Sequence, residues 1–274
     1  MLARTTRFLV ETQQALEHKN KELKEAQRDI FDSIKFAGLI QTSLMPDVSL
    51  LKVYFMDAAY TVKQQIDIGG DTVHIVNTQR GVMFGLSDST GHGIPAAMLN
   101  ISTTLMLNEI VASMGSESPA TLHRLLNYRL LNAFRSLNYS IAHMEGSLFH
   151  YNEEKKCITY SLAKGKALLL KASGEITELR ANKQAVGEHK DCSYENSVLE
   201  YEYGDKLILH SDGLTDQFGG PNGKKYSKAR LQQFLLDNRS RCAGELNQLL
   251  SENHREWKGA QPQTDDTSFL ILDL

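Results

Sequence analysis

The sequence predicts an α+β fold, in which one long N-terminal helix precedes antiparallel strands layered with two pairs of helices. Three observations predict it. Between Thr5 and Leu44 there is no proline and a single glycine, Gly38, while apolar residues recur every seven positions. Beyond residue 50, short apolar and β-branched runs follow one another in hairpin order, separated by turn residues. The later helical patterns come in pairs instead of alternating with every strand, which argues against a parallel βαβ sheet. A chain of 274 residues, 41% of them apolar, is long enough to bury a substantial core.

Each element has its local reason. Leu9, Leu16, Leu23, Ile30, Ala37 and Leu44 form the seven-residue stripe, and a helix underwound to 3.5 residues per turn keeps such a stripe on one seam. The companion seam is polar at Thr6, Gln13, Asn20, Gln27 and Gln41, with Ile34 the exception. The stripe reads either as a dimerising helix or as a solvated helix lying on its own domain. Pro46 ends the helix because it cannot donate a backbone hydrogen bond, and the chain divides there into residues 1–45 and 46–274. Strands are expected at Val53–Ala59, Asp71–Asn77 and Gly81–Ser87, the last two joined by a hairpin at Thr78–Gly81. Helices are expected at Pro95–Met114 and Pro119–Leu137, each with proline in its first turn. Further strands follow near Ile141–Tyr151, Cys157–Leu162, Ala167–Ala172, Glu175–Leu179, Ser197–Tyr203 and Asp205–His210. Helices near Lys228–Asn238 and Ala243–Trp257 and a strand at Thr267–Leu272 complete the chain.

Composition narrows the function classes. Thirty Lys and Arg against 33 Asp and Glu leave a net charge of −3, without the basic field that draws proteins to nucleic acid or anionic lipid. No apolar run is expected to span the roughly 20 residues needed to cross a bilayer, and MLARTTRFLVETQQ lacks a signal-peptide layout. Cys157, Cys192 and Cys242 are odd in number and widely spaced, so they read as free thiols of a reducing, cytoplasmic compartment.

Chemistry concentrates in four acidic spots, each beside an apolar strand-like run: Asp71 in IDIGGDTVHI, Asp88 in GVMFGLSDSTGHG, Asp212 in KLILHSDGLTDQ, and Asp265-Asp266 in QTDDTSFLIL. Strands that share a core deliver their ends to a common edge, so these carboxylates are candidates to converge. Two unit charges about 4 Å apart repel by roughly 4 kcal/mol at an effective dielectric near 20. Protonation or a hard divalent cation must offset that repulsion. Gly69-Gly70, Gly91, Gly93 and Gly213 allow tight turns and close backbone approach around the acids. There is no G-x-S-x-G elbow, no phosphate loop and no dinucleotide fingerprint.

GGDTVH, LSDSTGHGIPAAML, LILHSDGLTDQ and TDDTSFLIL, in this order and spacing, resemble the metal-dependent Ser/Thr protein phosphatases (PPM, type 2C-like), in the bacterial branch of SpoIIE and RsbU. The resemblance covers about residues 35 to 274, and SIKFAGLIQTSLMPD is similar to the linker helix that precedes such domains. It implies a four-layer α-β-β-α sandwich with two Mn²⁺ or Mg²⁺ ions between the sheets. Asp88 then matches the carboxylate that bridges both metals, and Ser89 the residue that offers its backbone carbonyl. Asp212 and Asp265 match the remaining direct ligands, Asp71 an acid that binds directly or through water, and Asp266 a supporting group. The resemblance also implies a water nucleophile ionised by the metals, and a phosphorylated regulatory protein of the anti-sigma-factor-antagonist (STAS) type as substrate. A homodimer through the N-terminal helix, and a place in the cytoplasm or in the cytoplasmic part of a longer membrane receptor, complete the expectation.

The chain departs from that pattern at three places. His74 stands where an acid is usual, and reads as a structural histidine or as a group tuning a loop or an auxiliary metal. Thr90 occupies the position of a proposed general acid, and His92 reads as a proton donor or as a turn residue. Leu162-Ala163-Lys164-Gly165-Lys166 replaces an AGHPP-like segment, and its lysines read as contacts to phosphate or an acidic partner, or as a solvated turn. Two rival readings remain: a catalytically weak phosphatase-like scaffold, and, on the strength of GGDTV alone, a nucleotide cyclase.

Overall fold

The computed structural model describes residues 2–114, 117–134 and 143–274. The chain divides into two compact units, Met1–Ser43 and Leu44–Leu274. The first is one helix, α1, Leu2–Ser43. Its stripe residues Leu16, Leu23 and Ile30 are each close to 60% exposed.

The second unit opens with a 3₁₀ turn at Val48–Val53, capped by the Asp47 carboxylate, which accepts from the Ser49 N–H at 2.9 Å. Then come β1 (Asp57–Lys63), β2 (Asp71–Thr78), β3 (Gly81–Ser89), α2 (Ile94–Met114) and α3 (Pro119–Ala133). They are followed by β4 (Met144–Asn152), β5 (Cys157–Ala163), β6 (Lys166–Leu170), β7 (Ile176–Glu178), β8 (Ser197–Leu199) and β9 (Lys206–His210). The last elements are α4 (Asp212–Asp216), β10 (Phe218–Gly219), β11 (Lys224–Lys225), α5 (Lys228–Asp237), α6 (Ala243–Lys258) and β12 (Thr267–Asp273). One five-stranded sheet runs β1-β12-β9-β6-β7 and the other β2-β3-β4-β5-β8, with every pairing antiparallel.

Period-two alternation sorts the strands into layers. Val82, Phe84 and Leu86 of β3 face Leu207 and Leu209 of β9 and Leu270 and Leu272 of β12 in the core between the sheets. The outward residues serve a second contact. Met83 and Leu148 pack under Leu107, Ile110, Leu122 and Leu126 of α2 and α3. Ile208, Phe269 and Ile271 pack under Leu231, Leu235, Leu246 and Leu250 of α5 and α6. The result is the expected four-layer α-β-β-α sandwich.

Three expectations need correction. The first strand starts at Asp57, not Val53, because the Asp47 cap winds residues 48–53 into a turn and Leu51 and Phe55 plug the end of the inter-sheet core. The strand at 197–203 is only Ser197–Leu199 long. And Ile94–Ser113, 20 residues with a mean hydropathy of 1.2, is long and apolar enough to cross a membrane. Its apolarity has a local cause, since Leu99, Leu107, Ile110 and Val111 supply the core over the second sheet. The expected element ends at 135–137 and 141–142 lie outside the described residues.

Candidate active site

The inter-sheet core ends in carboxylates. On β3 the inward stripe Val82, Phe84, Leu86 continues to Asp88, and on β2 the inward stripe Val73 and Ile75 begins at Asp71. The hairpin register sets Asp71 directly opposite Asp88, and the next pairing sets Asp88 opposite Glu145 of β4. Three adjacent strands thus carry three acids on one rung, where directly opposed like charges destabilise a sheet. From the other sheet, β9 ends and β12 begins at the same edge, because His210 pairs with Phe269. This places Asp212, at the first turn of α4, beside Asp265 and Asp266 at the entry to β12.

The two sheets are tied together across this edge. The Ser268 hydroxyl donates to Asp71 Oδ2 at 2.7 Å. Asp266 accepts from the Gln65 N–H with Oδ1 and from the Gly70 N–H with Oδ2, both at 2.6 Å. Within the first sheet, Ser211 and Ser268 exchange two bonds of their own, Ser268 N–H to Ser211 Oγ at 3.1 Å and Ser211 N–H to Ser268 O at 3.0 Å. Gly70 O accepts from the Ser89 N–H at 3.1 Å and from Asn100 Nδ2 at 2.9 Å. Such closeness demands glycine: a Cβ on Gly70 would lie 2.5 Å from Ser89 O, and one on Gly213 would lie 1.8 Å from Asp266 O.

Electrostatics mark the same place. Burial, reinforced by Asp71, Asp212, Asp265 and Glu145, pushes the Asp88 carboxyl up to about 9. Burial pushes Asp71 up to about 7, with Asp266 and Asp265 adding to it and the Ser268 hydroxyl opposing. Asp265 and Asp266 are also raised by burial, against the backbone N–H groups they accept from. Lys166 answers them: its Nζ lies 3.2 Å from Glu145 Oε2 and 3.7 Å from Asp212 Oδ2.

The donor set suits a hard divalent ion. Every candidate donor is oxygen, from carboxylates and the Ser89 carbonyl, which is the chemistry Mg²⁺ and Mn²⁺ favour. Asp71 Oδ1 is buried without a hydrogen-bond partner, and such an atom is costly unless something binds it. Among the described residues no three His, Cys, Asp or Glu side chains already form a tight coordinating group. The acids instead ring the edge, as mutual repulsion requires.

Asp71, Asp88, Ser89, Asp212, Asp265 and Asp266 are therefore brought to one edge. Asp266 is spent on two backbone N–H groups, so it shapes the loop at 65–70. His74 points the other way: it is buried beneath α2 and α3, with Nε2 2.8 Å from Ser87 Oγ, and burial lowers its pKa to about 4. His92 is exposed on the turn after β3, on the side of Asp265 and Asp266. Thr90 donates its hydroxyl to His143 O at 2.7 Å. The two lysines diverge, Lys164 pairing with Glu188 at 3.0 Å and Lys166 entering the acidic edge. Sequence reasoning missed Glu145, Ser211 and Ser268. Glu145 was detectable only through strand register, and the serines only through the adjacency of β9 and β12.

Residues 78–274 match the family model described as Stage II sporulation protein E (SpoIIE). The phosphoserine phosphatase RsbU of Bacillus subtilis (strain 168) is 26% identical over 206 residues, 72% of this chain and 58% of RsbU. The chain thus spans little more than half the length of that relative. Among solved structures, the SiaA-PP2C domain of Pseudomonas aeruginosa superposes with a TM-score of 0.82 at 24% identity, covering 91% of this chain and 98% of that one. RsbX in complex with magnesium superposes with a TM-score of 0.54 at 18% identity, covering 78% of this chain and 93% of RsbX. Likeness at these identities shows a shared fold.

Proposed function

The chain belongs to the stage II sporulation protein E (SpoIIE) family, and from that premise we propose that its acidic edge is the active site of a metal-dependent protein serine/threonine phosphatase. The observation that carries the reading is the convergence of Asp71, Asp88, Asp212 and Asp265 from four separate strand ends, with a buried Asp71 oxygen left unbonded. Asp71, Asp88, Asp212 and Asp265 would hold two Mn²⁺ or Mg²⁺ ions together with the Ser89 carbonyl. When bound, such ions lower the pKa of water and counter charge on a phosphoryl group.

The protein's own residues do the positioning. Asp88 is the most central acid, acted on by Asp71, Asp212, Asp265 and Glu145 together, which suits a ligand shared by both ions. Ser268 fixes Asp71 through Oδ2 and leaves Oδ1 to the centre. Asp266 clamps the backbone at Gln65 and Gly70, so the start of β2 cannot drift from β12. Hydrolysis by an activated water needs no Cys or Ser nucleophile, in keeping with the absence of such motifs from the sequence.

The substrate in this reading is a phosphorylated regulatory protein of the STAS type, by analogy with the phosphoserine phosphatase RsbU. Residues 1–45 form a helical module that pairs with a second copy through Leu16, Leu23 and Ile30, and residues 46–274 are the catalytic domain. Three unpaired cysteines favour the cytoplasm. The nucleotide-cyclase alternative leaves Asp212 and Asp265 without a role.

The test is hydrolysis of a phosphoseryl protein by the purified chain. Activity should require Mn²⁺ or Mg²⁺, and Asp88→Ala should lower kcat at least about 100-fold by removing the shared ligand. Full turnover in EDTA, or by the variant, would refute the reading.

A further inference from the structure

We infer that Lys166 is a fixed internal cation of the acidic edge, which neutralises the corner between Glu145 and Asp212 and keeps a further divalent ion out of it. The inference rests on the metal-centre reading above and adds to it a residue that controls how many ions the centre takes.

The local chain is built to deliver this ammonium. Lys164 adopts a left-handed conformation, φ 57°, and its N–H is held by Asn182 O at 3.0 Å. Gly165 then presses against β4, where a Cβ would lie 2.3 Å from Ser147 Oγ and 2.6 Å from Gly146 O. Any larger residue would lift the turn away from the sheet. Lys166 opens β6 opposite His210, two residues before Asp212. Its Nζ reaches Glu145 Oε2 at 3.2 Å and Asp212 Oδ2 at 3.7 Å, and its charge also acts on Asp88. Lys166, Asp88 and Glu145 are among the residues that line a small cavity of about 10 Å³, room for one water.

Charge counting gives this lysine its role. Asp71, Asp88, Asp212 and Asp265 carry four negative charges, which two divalent ions balance. Asp266 is already taken up by the Gln65 and Gly70 N–H groups, which leaves Glu145 as the surplus acid, placed beside Asp88 by register and reaching toward Asp212 through their shared lysine. Without Lys166, Asp88, Glu145 and Asp212 would offer carboxylate oxygens on one side of the centre, and hard cations gather six or more such ligands. An ammonium neutralises one charge and offers no coordination position. It is also tethered, so it cannot exchange with solution ions.

Calorimetric titration with Mn²⁺ tests this on the full chain, alongside circular dichroism to confirm folding. Lys166→Met should bind one additional Mn²⁺ ion, because the positive charge that occupies that corner has been removed; tighter binding at the wild-type stoichiometry would overturn the exclusion. Lys166→Arg should keep the wild-type stoichiometry. Glu145→Gln should weaken Mn²⁺ binding, since Lys166 then acts on the centre unopposed, and this variant keeps the lysine whose loss could disturb the turn. Lys166→Met combined with Glu145→Gln should return toward wild type. The inference is overturned if Lys166→Met and Glu145→Gln both titrate as wild type, or if the gain in Lys166→Met persists when Glu145 is also replaced. A wild-type chain that takes up no Mn²⁺ removes the metal-centre reading itself, and this inference with it. Wild-type uptake that neither variant changes removes the inference alone.

Discussion

A methyl group at Gly213 would collide with the backbone at Asp266, its Cβ only 1.8 Å from the carbonyl oxygen. That contact lies between the residue after Asp212 and the residue after Asp265, so it sets the separation of two proposed ligands. Gly213→Ala should therefore cost about 1–3 kcal/mol in overpacking and weaken Mn²⁺ binding as the loops part. Gly223 provides the comparison. It has φ 59° and nothing near a built Cβ, so Gly223→Ala should lower stability by about 1 kcal/mol through backbone strain alone and leave Mn²⁺ binding intact. Urea denaturation and metal titration on the two variants separate the effects. Equal metal affinity in both would mean that the 213–266 contact does not set the site. The same contact explains why the sequence pairs Asp with Gly here: the glycine serves packing against β12, not a left-handed turn.

At the level of elements, α1 and the strands were legible to different degrees. The seven-residue stripe gave the helix, and Leu16, Leu23 and Ile30 do stand exposed along it. Its companion positions, polar at Gln13, Asn20 and Gln27, make any pairing marginal, because polar groups in a coiled-coil seam trade stability for register. Removing residues 1–34 should shift sedimentation from dimer to monomer at micromolar concentration, and Leu23→Lys should do the same by placing a charge in the seam. A monomeric full-length chain would contradict the pairing. In the sandwich, the β2–β3 hairpin was readable because apolar alternation and Thr78–Gly81 fix its register. Once that register is known, the opposition of Asp71 and Asp88 follows. Glu145 and Ser268 were not identifiable in the same way, and Lys166 was readable as a candidate contact but not as the partner of Glu145 and Asp212. Their roles depend on which strands lie side by side, and β6, β9 and β12 become neighbours only through crossovers that local pattern does not encode. The helix α4 was missed because five residues are too few to show a period.

For the whole molecule, the acidic edge lowers the stability of the metal-free sandwich as pH rises. Asp71 and Asp88 have folded pKa values of about 7 and about 9, both above the ordinary value of 3.8. A raised carboxyl binds its proton more tightly in the fold than in the unfolded chain. Its contribution is therefore full below pH 3.8 and is lost as pH rises through the folded value. Buried histidines act in the opposite sense. His74, His210 and His254, each lowered to about 4 chiefly by burial, favour the fold above pH 6.5 and cost stability as pH falls toward 4. A divalent ion reverses only the first effect, because it binds the ionised acids and leaves the histidines as they were. The difference in melting temperature between Mn²⁺ and EDTA thus isolates the acidic edge. That difference should widen from pH 6 to pH 9, each bound ion contributing about 2.7 kcal/mol of stabilisation when free Mn²⁺ is about 100 times its Kd. In Asp88→Ala the widening should shrink, since the most strongly raised carboxyl and the shared ligand are both gone. A Mn²⁺–EDTA difference that stays flat across this range in the wild type would mean that ion binding is not linked to ionisation of these acids.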